Sequence, residues 1–287
     1  MQVTEMLLTC LGDLMKRLLH PVLYAVVAWQ IQHAISALAD DTINGPSAEL
    51  SGRQNRQFDA MLVRLPADHL LDIANGDNDS GDGNRPEHQG VDEFFGIWKG
   101  SRNYTIGAVG GSGTLRETFA SPFTDTVLET TPPWNTTNKY VTNAFGIGAV
   151  NFIERHYADP DPFFLYVSFT APHSPIGPSP DINDPRLSSL TGKRKDYASM
   201  VLTMDREIGN ILNTLDDPAK DGSVSLTDNT LVIFINDNGG ANNIGADNTP
   251  LRNFKGSIFE GGTRVPMIIA GAGLPANSTY HSPIHSI

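Results

Sequence analysis

The sequence predicts an α/β fold, a sandwich around a mainly parallel sheet, and three observations carry that prediction. Two apolar runs, Phe163-Phe164-Leu165-Tyr166-Val167-Ser168-Phe169 and Leu231-Val232-Ile233-Phe234-Ile235, are nearly continuous rather than alternating, which is the pattern of strands covered on both faces. Between them lies a stretch of helical periodicity, Tyr197 to Leu215, placed to serve as the crossover between parallel neighbours. Each run stops at a polar turn, Thr170 to Pro175 after the first and Asn236 to Gly240 after the second. A parallel arrangement puts both turns on one rim of the sheet.

Taken in order, the first 39 residues read as an N-terminal extension. From Met15, Lys16 and Arg17 precede a broken apolar stretch that ends in Ala37-Leu38-Ala39, the layout of a secretory signal peptide over 15–39. His20, Pro21, Gln30 and His33 interrupt that stretch, so no stable membrane span is expected. Residues 40–85 are polar and rich in Asp, Asn and Gly, and are expected to be disordered or poorly packed. From Pro86 the chain becomes coherent, with Gly90-Val91-Asp92-Glu93-Phe94-Phe95-Gly96 and the glycine-rich, aromatic passage that follows through Tyr104 expected to pack as a loop against the sheet. Residues 138–157 place Val141, Phe145, Ala149, Phe152 and Ile153 on one helix face, weakened by Gly146 and Gly148. Asp196 is expected to cap the next helix, whose buried stripe is Tyr197, Met200, Val201, Met204, Ile208, Ile211, Leu212 and Leu215. A last strand is expected from Val265 through Ile269.

Composition narrows the function classes. With 287 residues, 39% hydrophobic and 18% charged, the chain can bury a core as one large domain or two small ones. Its net charge of −12 argues against a nucleic-acid partner, because phosphate neutralisation needs a basic surface. The single cysteine, Cys10, excludes an intrachain disulfide and a cysteine-based zinc cluster.

The chemistry concentrates in 230–266. The Leu231–Ile235 run empties onto Asn236-Asp237-Asn238-Gly239-Gly240, and one carboxylate beside amide carbonyls suits a hard divalent cation, Ca²⁺ or Mg²⁺; a plain turn is the competing reading. Lys255 follows, then Glu260-Gly261-Gly262-Thr263-Arg264. A loop this long between buried strands favours a ligand site. His173, just past the other strand, would share the rim.

The order strand, DNGG, lysine, FEGGTRVP and strand resembles the formylglycine-dependent sulfatases of the alkaline phosphatase superfamily, as do PFFLYVSFTAPHSP and GVDEFFG. That resemblance covers roughly 86–287 and implies a partial sulfatase domain, arylsulfatase-like, without the smaller C-terminal subdomain. It implies that Asp237 and Asn238 bind the divalent cation, normally Ca²⁺. Lys255 would hold the sulfate ester, and His173 would hydrogen-bond the sulfate and help protonate the departing alkoxide. Ala37-Leu38-Ala39-Asp40-Asp41 offers a rival to the cleavage-site reading, since it also resembles the end of the family's first strand, where paired aspartates complete the metal site.

The same resemblance exposes a gap. Formylglycine arises from the Cys or Ser of a C/S-x-P-x-R motif, but Cys10 is followed by Leu-Gly-Asp-Leu, and no serine in these residues begins such a motif. Two readings therefore stay open. One is a secreted or periplasmic sulfuric ester hydrolase by descent, acting on an aryl or polysaccharide sulfate, whose chain as it stands is inactive or a fragment. The other is a secreted non-catalytic binder of sulfated glycans.

Overall fold

The computed structural model describes residues 24–28, of which only the backbone course is given, together with 91–97, 103–106, 115–130, 139–274 and 279. Expectations for Cys10, Asp40-Asp41, the 40–85 segment and the C-terminal end lie outside the described residues.

A four-stranded sheet organises the fold, in the order β7 (Phe164–Val167), β1 (Tyr24–Ala28), β8 (Thr230–Ile235), β9 (Met267–Gly271). β1 runs parallel to both neighbours, with Val26 opposite Leu165 and Val232, while β9 pairs antiparallel to β8, Ile233 opposite Ile269. The expected α/β sandwich with a mainly parallel sheet is thus observed, closed on one side by an antiparallel edge strand.

β1 differs from the expectation. Its YAVVA sequence sits inside the 15–39 stretch that reads as an export signal, yet the structure pairs it on both sides near the centre of the sheet. The apolar run required for an export signal is the same run that a doubly covered strand requires, so composition does not separate the two.

Two helices pack on the sheet and on each other, α1 (Val141–His156) and α2 (Gly192–Asp216). α1 buries Val141, Ala144, Phe145, Ala149, Phe152 and Ile153 against Leu165, Val167 and Phe169 in the main core. Its two glycines, read from sequence only as weak points, are contact points. A Cβ on Gly146 would lie 2.7 Å from Glu207 Cβ of α2, and one on Gly148 would lie 2.6 Å from the Phe95 ring. Close approach thus offsets the helical entropy each glycine costs.

α2 begins earlier than expected. Thr191, with extended backbone, is the N-cap residue, and Asp196 lies inside the helix rather than capping it. The added turn is held by tertiary contacts, since Lys193 Nζ donates to Asn243 O at 3.1 Å and Arg194 Nη1 to Gly245 O at 2.7 Å. Its buried stripe keeps Met200, Ile211 and Leu215 and adds Thr203 and Glu207; Leu212, expected in the stripe, is exposed.

The Glu93–Phe95 region also departs from expectation. It forms β2 (Glu93–Gly96), a strand rather than a loop, in a second, antiparallel sheet of order β2, β4 (Arg116–Ala120), β5 (Phe123–Val127). Arg116 Nη1 pairs with Asp125 Oδ1 at 2.8 Å across the β4–β5 hairpin. Two short strands, β3 (Thr105–Ile106) and β6 (Lys139–Tyr140), pair antiparallel beside α1.

Candidate active site

Parallel pairing carries the ends of β7 and β8 to the same rim, because Ala28 of β1 lies opposite both Val167 and Phe234. From Val167 the chain stays buried through Phe169, then turns, with the His173 N–H donating to Thr170 O at 2.8 Å. His173 is exposed, and its Nδ1 lies 2.9 Å from Ser174 O. A carbonyl can only accept, so Nδ1 carries the proton and Nε2 is left to face a ligand.

From Ile235 the chain delivers Asp237 and Asn238, both half-buried, with Asn238 Nδ2 donating to Asp237 Oδ2. The glycines that follow interlock with those of the EGG segment. Gly239 N donates to Gly262 O at 3.0 Å, and a side chain on Gly239 would overlap the Gly261 carbonyl. A side chain on Gly261 would in turn run into the carbonyls of Arg252 and Asn253. Both motifs need glycine because two backbones touch there.

The intervening loop is tied back to this seam. Asn248 grips Gly240 from both sides, accepting from its N–H at 2.9 Å and donating to its carbonyl at 2.8 Å. Lys255 N donates to Gly240 O at 3.1 Å, so the lysine follows directly from the DNGG turn in space although fourteen residues separate Gly240 from Lys255 in sequence. Arg252 stacks its guanidinium 3.8 Å from the Phe259 ring centroid, just before the short helix α3 (Glu260–Thr263).

Electrostatics joins these pieces. Burial raises the Asp237 carboxyl above the ordinary aspartate range, and Lys255 and then His173 lie near enough to pull it partly back. The four residues predicted from sequence thus lie on one rim: Asp237, Asn238 and Lys255 in one loop cluster, and His173 in the turn after β7. Tyr197 of α2 was missed as a neighbour of this site. Burial raises its hydroxyl, Arg194 lowers it, and Asp237 raises it again. Nothing in the α2 pattern distinguishes Tyr197 from an ordinary stripe residue.

The donor set fits a divalent cation in part. A half-buried carboxylate whose charge is incompletely compensated, beside an amide, is suitable chemistry, but Ca²⁺ takes about six to eight oxygens. Among the described residues no group of three or more His, Cys, Asp or Glu is close enough to hold a metal. β1, which ends on the same rim, is followed in sequence by Trp29 and Gln30, and no acidic residue occurs between Ala28 and Asp40.

A profile of the Sulfatase family matches residues 72–287. The chain belongs to the sulfatase family. Among curated relatives, a sulfatase of Formosa agariphila is 36% identical over 170 residues, 54% of this chain and 30% of the relative. The N-acetylgalactosamine-6-sulfatase of Canis lupus familiaris is 36% identical over 138 residues, 46% of this chain and 24% of the relative. Among solved structures, that of Ps i-CgsB in complex with k-i-k-neocarrahexaose superposes with a TM-score of 0.57 at 29% identity, covering 72% of this chain and 46% of that one. This sulfatase chain thus spans less than a third of the length of those two curated relatives. No helix among its described residues is long and apolar enough to cross a membrane.

Proposed function

We propose that this chain carries the cation- and sulfate-holding rim of a sulfuric ester hydrolase. The observation that supports it is the shared electrostatic neighbourhood of Asp237, Lys255 and His173 at the ends of two parallel-paired strands. Asp237 and Asn238 would hold a divalent cation, Ca²⁺ or Mg²⁺, which when bound supplies positive charge to the ester oxygens. Lys255 binds the anionic head group as a point charge. His173, with Nδ1 committed to Ser174 O, presents Nε2 toward the leaving oxygen and in its protonated form donates there. The substrate is a sulfate ester, aryl or carbohydrate. The bound oligosaccharide of the structural neighbour favours carbohydrate.

The attacking group is the part these residues do not supply, since no C/S-x-P-x-R motif occurs in them. That observation favours a second reading, binding of sulfated glycans without turnover. Both readings are secreted or periplasmic in expectation.

Calorimetric titration of the chain with a sulfated oligosaccharide, with and without Ca²⁺, tests the proposal. Binding should weaken by about tenfold to a hundredfold in Lys255→Ala, the range of a lost charge-assisted contact. Equal affinity in wild type and Lys255→Ala refutes the site. Turnover of an aryl sulfate above the Lys255→Ala control separates hydrolase from binder.

A further inference from the structure

The turn that bears His173 is bolted from behind by an aromatic residue the sequence reading assigned only to packing. Tyr104 is buried, and its hydroxyl lies 2.8 Å from Thr170 O and 3.0 Å from His173 O. A phenol has one proton, so that donor is shared between the two carbonyls that open and close the turn. Thr170 O already accepts the His173 N–H at 2.8 Å, and Tyr104 thus clamps the same loop from a second direction.

The clamp has a rigid mounting. Tyr104 precedes β3, its carbonyl accepts from Val141 N at 2.7 Å, and β3 pairs with β6 through Thr105 opposite Tyr140. The Tyr140 ring stacks on Tyr104, centroids 5.2 Å apart and planes 21° from parallel. Ala171 and Met200 complete a small apolar cluster around the two rings. The two hydroxyls differ sharply: that of Tyr140 is buried without any hydrogen-bond partner, whereas that of Tyr104 reaches the histidine turn. A ring serving only as filler needs no hydroxyl aimed at two carbonyls of one turn.

We infer that Tyr104 is a positioning residue for His173, setting the direction from which its imidazole meets the sulfate group. The sulfate part of this inference rests on the function proposed above; the clamp on His173 does not.

The test uses the full chain with isotope-labelled histidine. Eight histidines give signals, and His173→Gln identifies the one of interest. Tyr104→Phe keeps ring, stacking and burial and removes only the shared donor. In that variant the His173 ring resonances should shift, and sulfate affinity should fall by about fivefold, the ratio that one ordinary hydrogen bond is worth. Tyr140→Phe removes a partnerless hydroxyl beside it and should leave His173 unchanged. His173 signals in Tyr104→Phe that superpose on wild type overturn the inference. If Tyr104→Phe does not fold, a fluorinated tyrosine at position 104 strengthens the same donor without removing it, and unmoved His173 signals there overturn it equally. A chain that binds no sulfate while its His173 signals shift refutes the proposed function and leaves the clamp standing.

Discussion

Two trios of carboxylate, histidine and basic side chain occur in this molecule, and they solve the same electrostatic problem in opposite ways. On the main sheet's rim, Asp237 stands with His173 and Lys255; across the second sheet, Glu93 of β2 stands with His156 and Arg155 of α1. In the second trio every contact is direct. Arg155 Nη2 lies 2.6 Å from Glu93 Oε2, His156 Nε2 lies 2.6 Å from Glu93 Oε1, and His156 Nδ1 lies 2.7 Å from Asp159 Oδ2. A carboxylate cannot donate, so an imidazole between two of them carries both protons. In the rim trio, Lys255 and His173 influence Asp237 without a direct ion pair to it.

The consequence appears in the proton affinities. Burial alone would raise Glu93, but the bonds from His156 and Arg155 outweigh it and hold the carboxyl below the usual glutamate range. Burial raises Asp237, and its more distant cations fail to cancel that. The Glu93 trio is saturated and joins α1 to the second sheet. The Asp237 trio keeps unspent charge, which is what a site awaiting a ligand requires.

The largest effect should come from breaking the saturated trio. Glu93→Gln keeps the shape but removes the charge from His156 and Arg155, and should cost about 2 kcal/mol, the worth of a charge-assisted bond with both partners partly buried. Thermal unfolding would then shift down by about 4–8 °C at the scale for chains of 150–250 residues. A melting point within a degree of wild type would show that the clasp is ornamental.

A smaller effect follows from titrating the same trio. The bond to Glu93 raises His156, burial opposes it, and the bond to Asp159 adds to the rise. A histidine raised on folding stabilises fully below its unfolded value of about 6.5, and loses that contribution as pH rises through the folded value. Glu93, lowered on folding, contributes fully above its ordinary value of 4.5 and loses it as pH falls through its own folded value. The clasp is therefore strongest between those two limits. Glu117 of β4 is raised by burial, with Arg155 offsetting part of it, and works in the opposite sense over the lower part of this range. Chemical unfolding from pH 5 to pH 9 should show stability falling through the upper range in wild type and a flatter profile in Glu93→Gln. Identical slopes would remove His156 from the account.

The rim was legible in the sequence where local chemistry speaks for itself. Continuous apolar runs announced β7 and β8, while the turns after them read locally as plain turns, and only the resemblance to sulfatases singled out Asp237, Asn238 and His173 within them. What escaped was set by partners distant in sequence. β1 shares its composition with an export signal, and only pairing to Phe164–Val167 and Thr230–Phe234 reveals it as a strand. The β2–β4–β5 sheet depends on the hairpin after Leu115, and Glu93 looks like any surface acid until α1 brings His156 to it. Tyr104 likewise reads as packing, because the carbonyls that its hydroxyl reaches belong to a turn 66 residues or more along the chain.

The smallest effect on stability should come from the unsaturated trio, and its direction sharpens the contrast. Since burial disfavours the Asp237 charge, Asp237→Asn removes a cost along with a ligand. Stability at pH 7 should stay within about 0.5 kcal/mol of wild type or rise slightly, against the marked loss in Glu93→Gln. The melting point of wild type should climb with added Ca²⁺ as mass action requires, and that of Asp237→Asn should not. A clear destabilisation by Asp237→Asn without Ca²⁺ would mean that Lys255 and His173 already satisfy the carboxylate. The rim would then be a second structural clasp, and the charge counted here as available for a ligand would be spent.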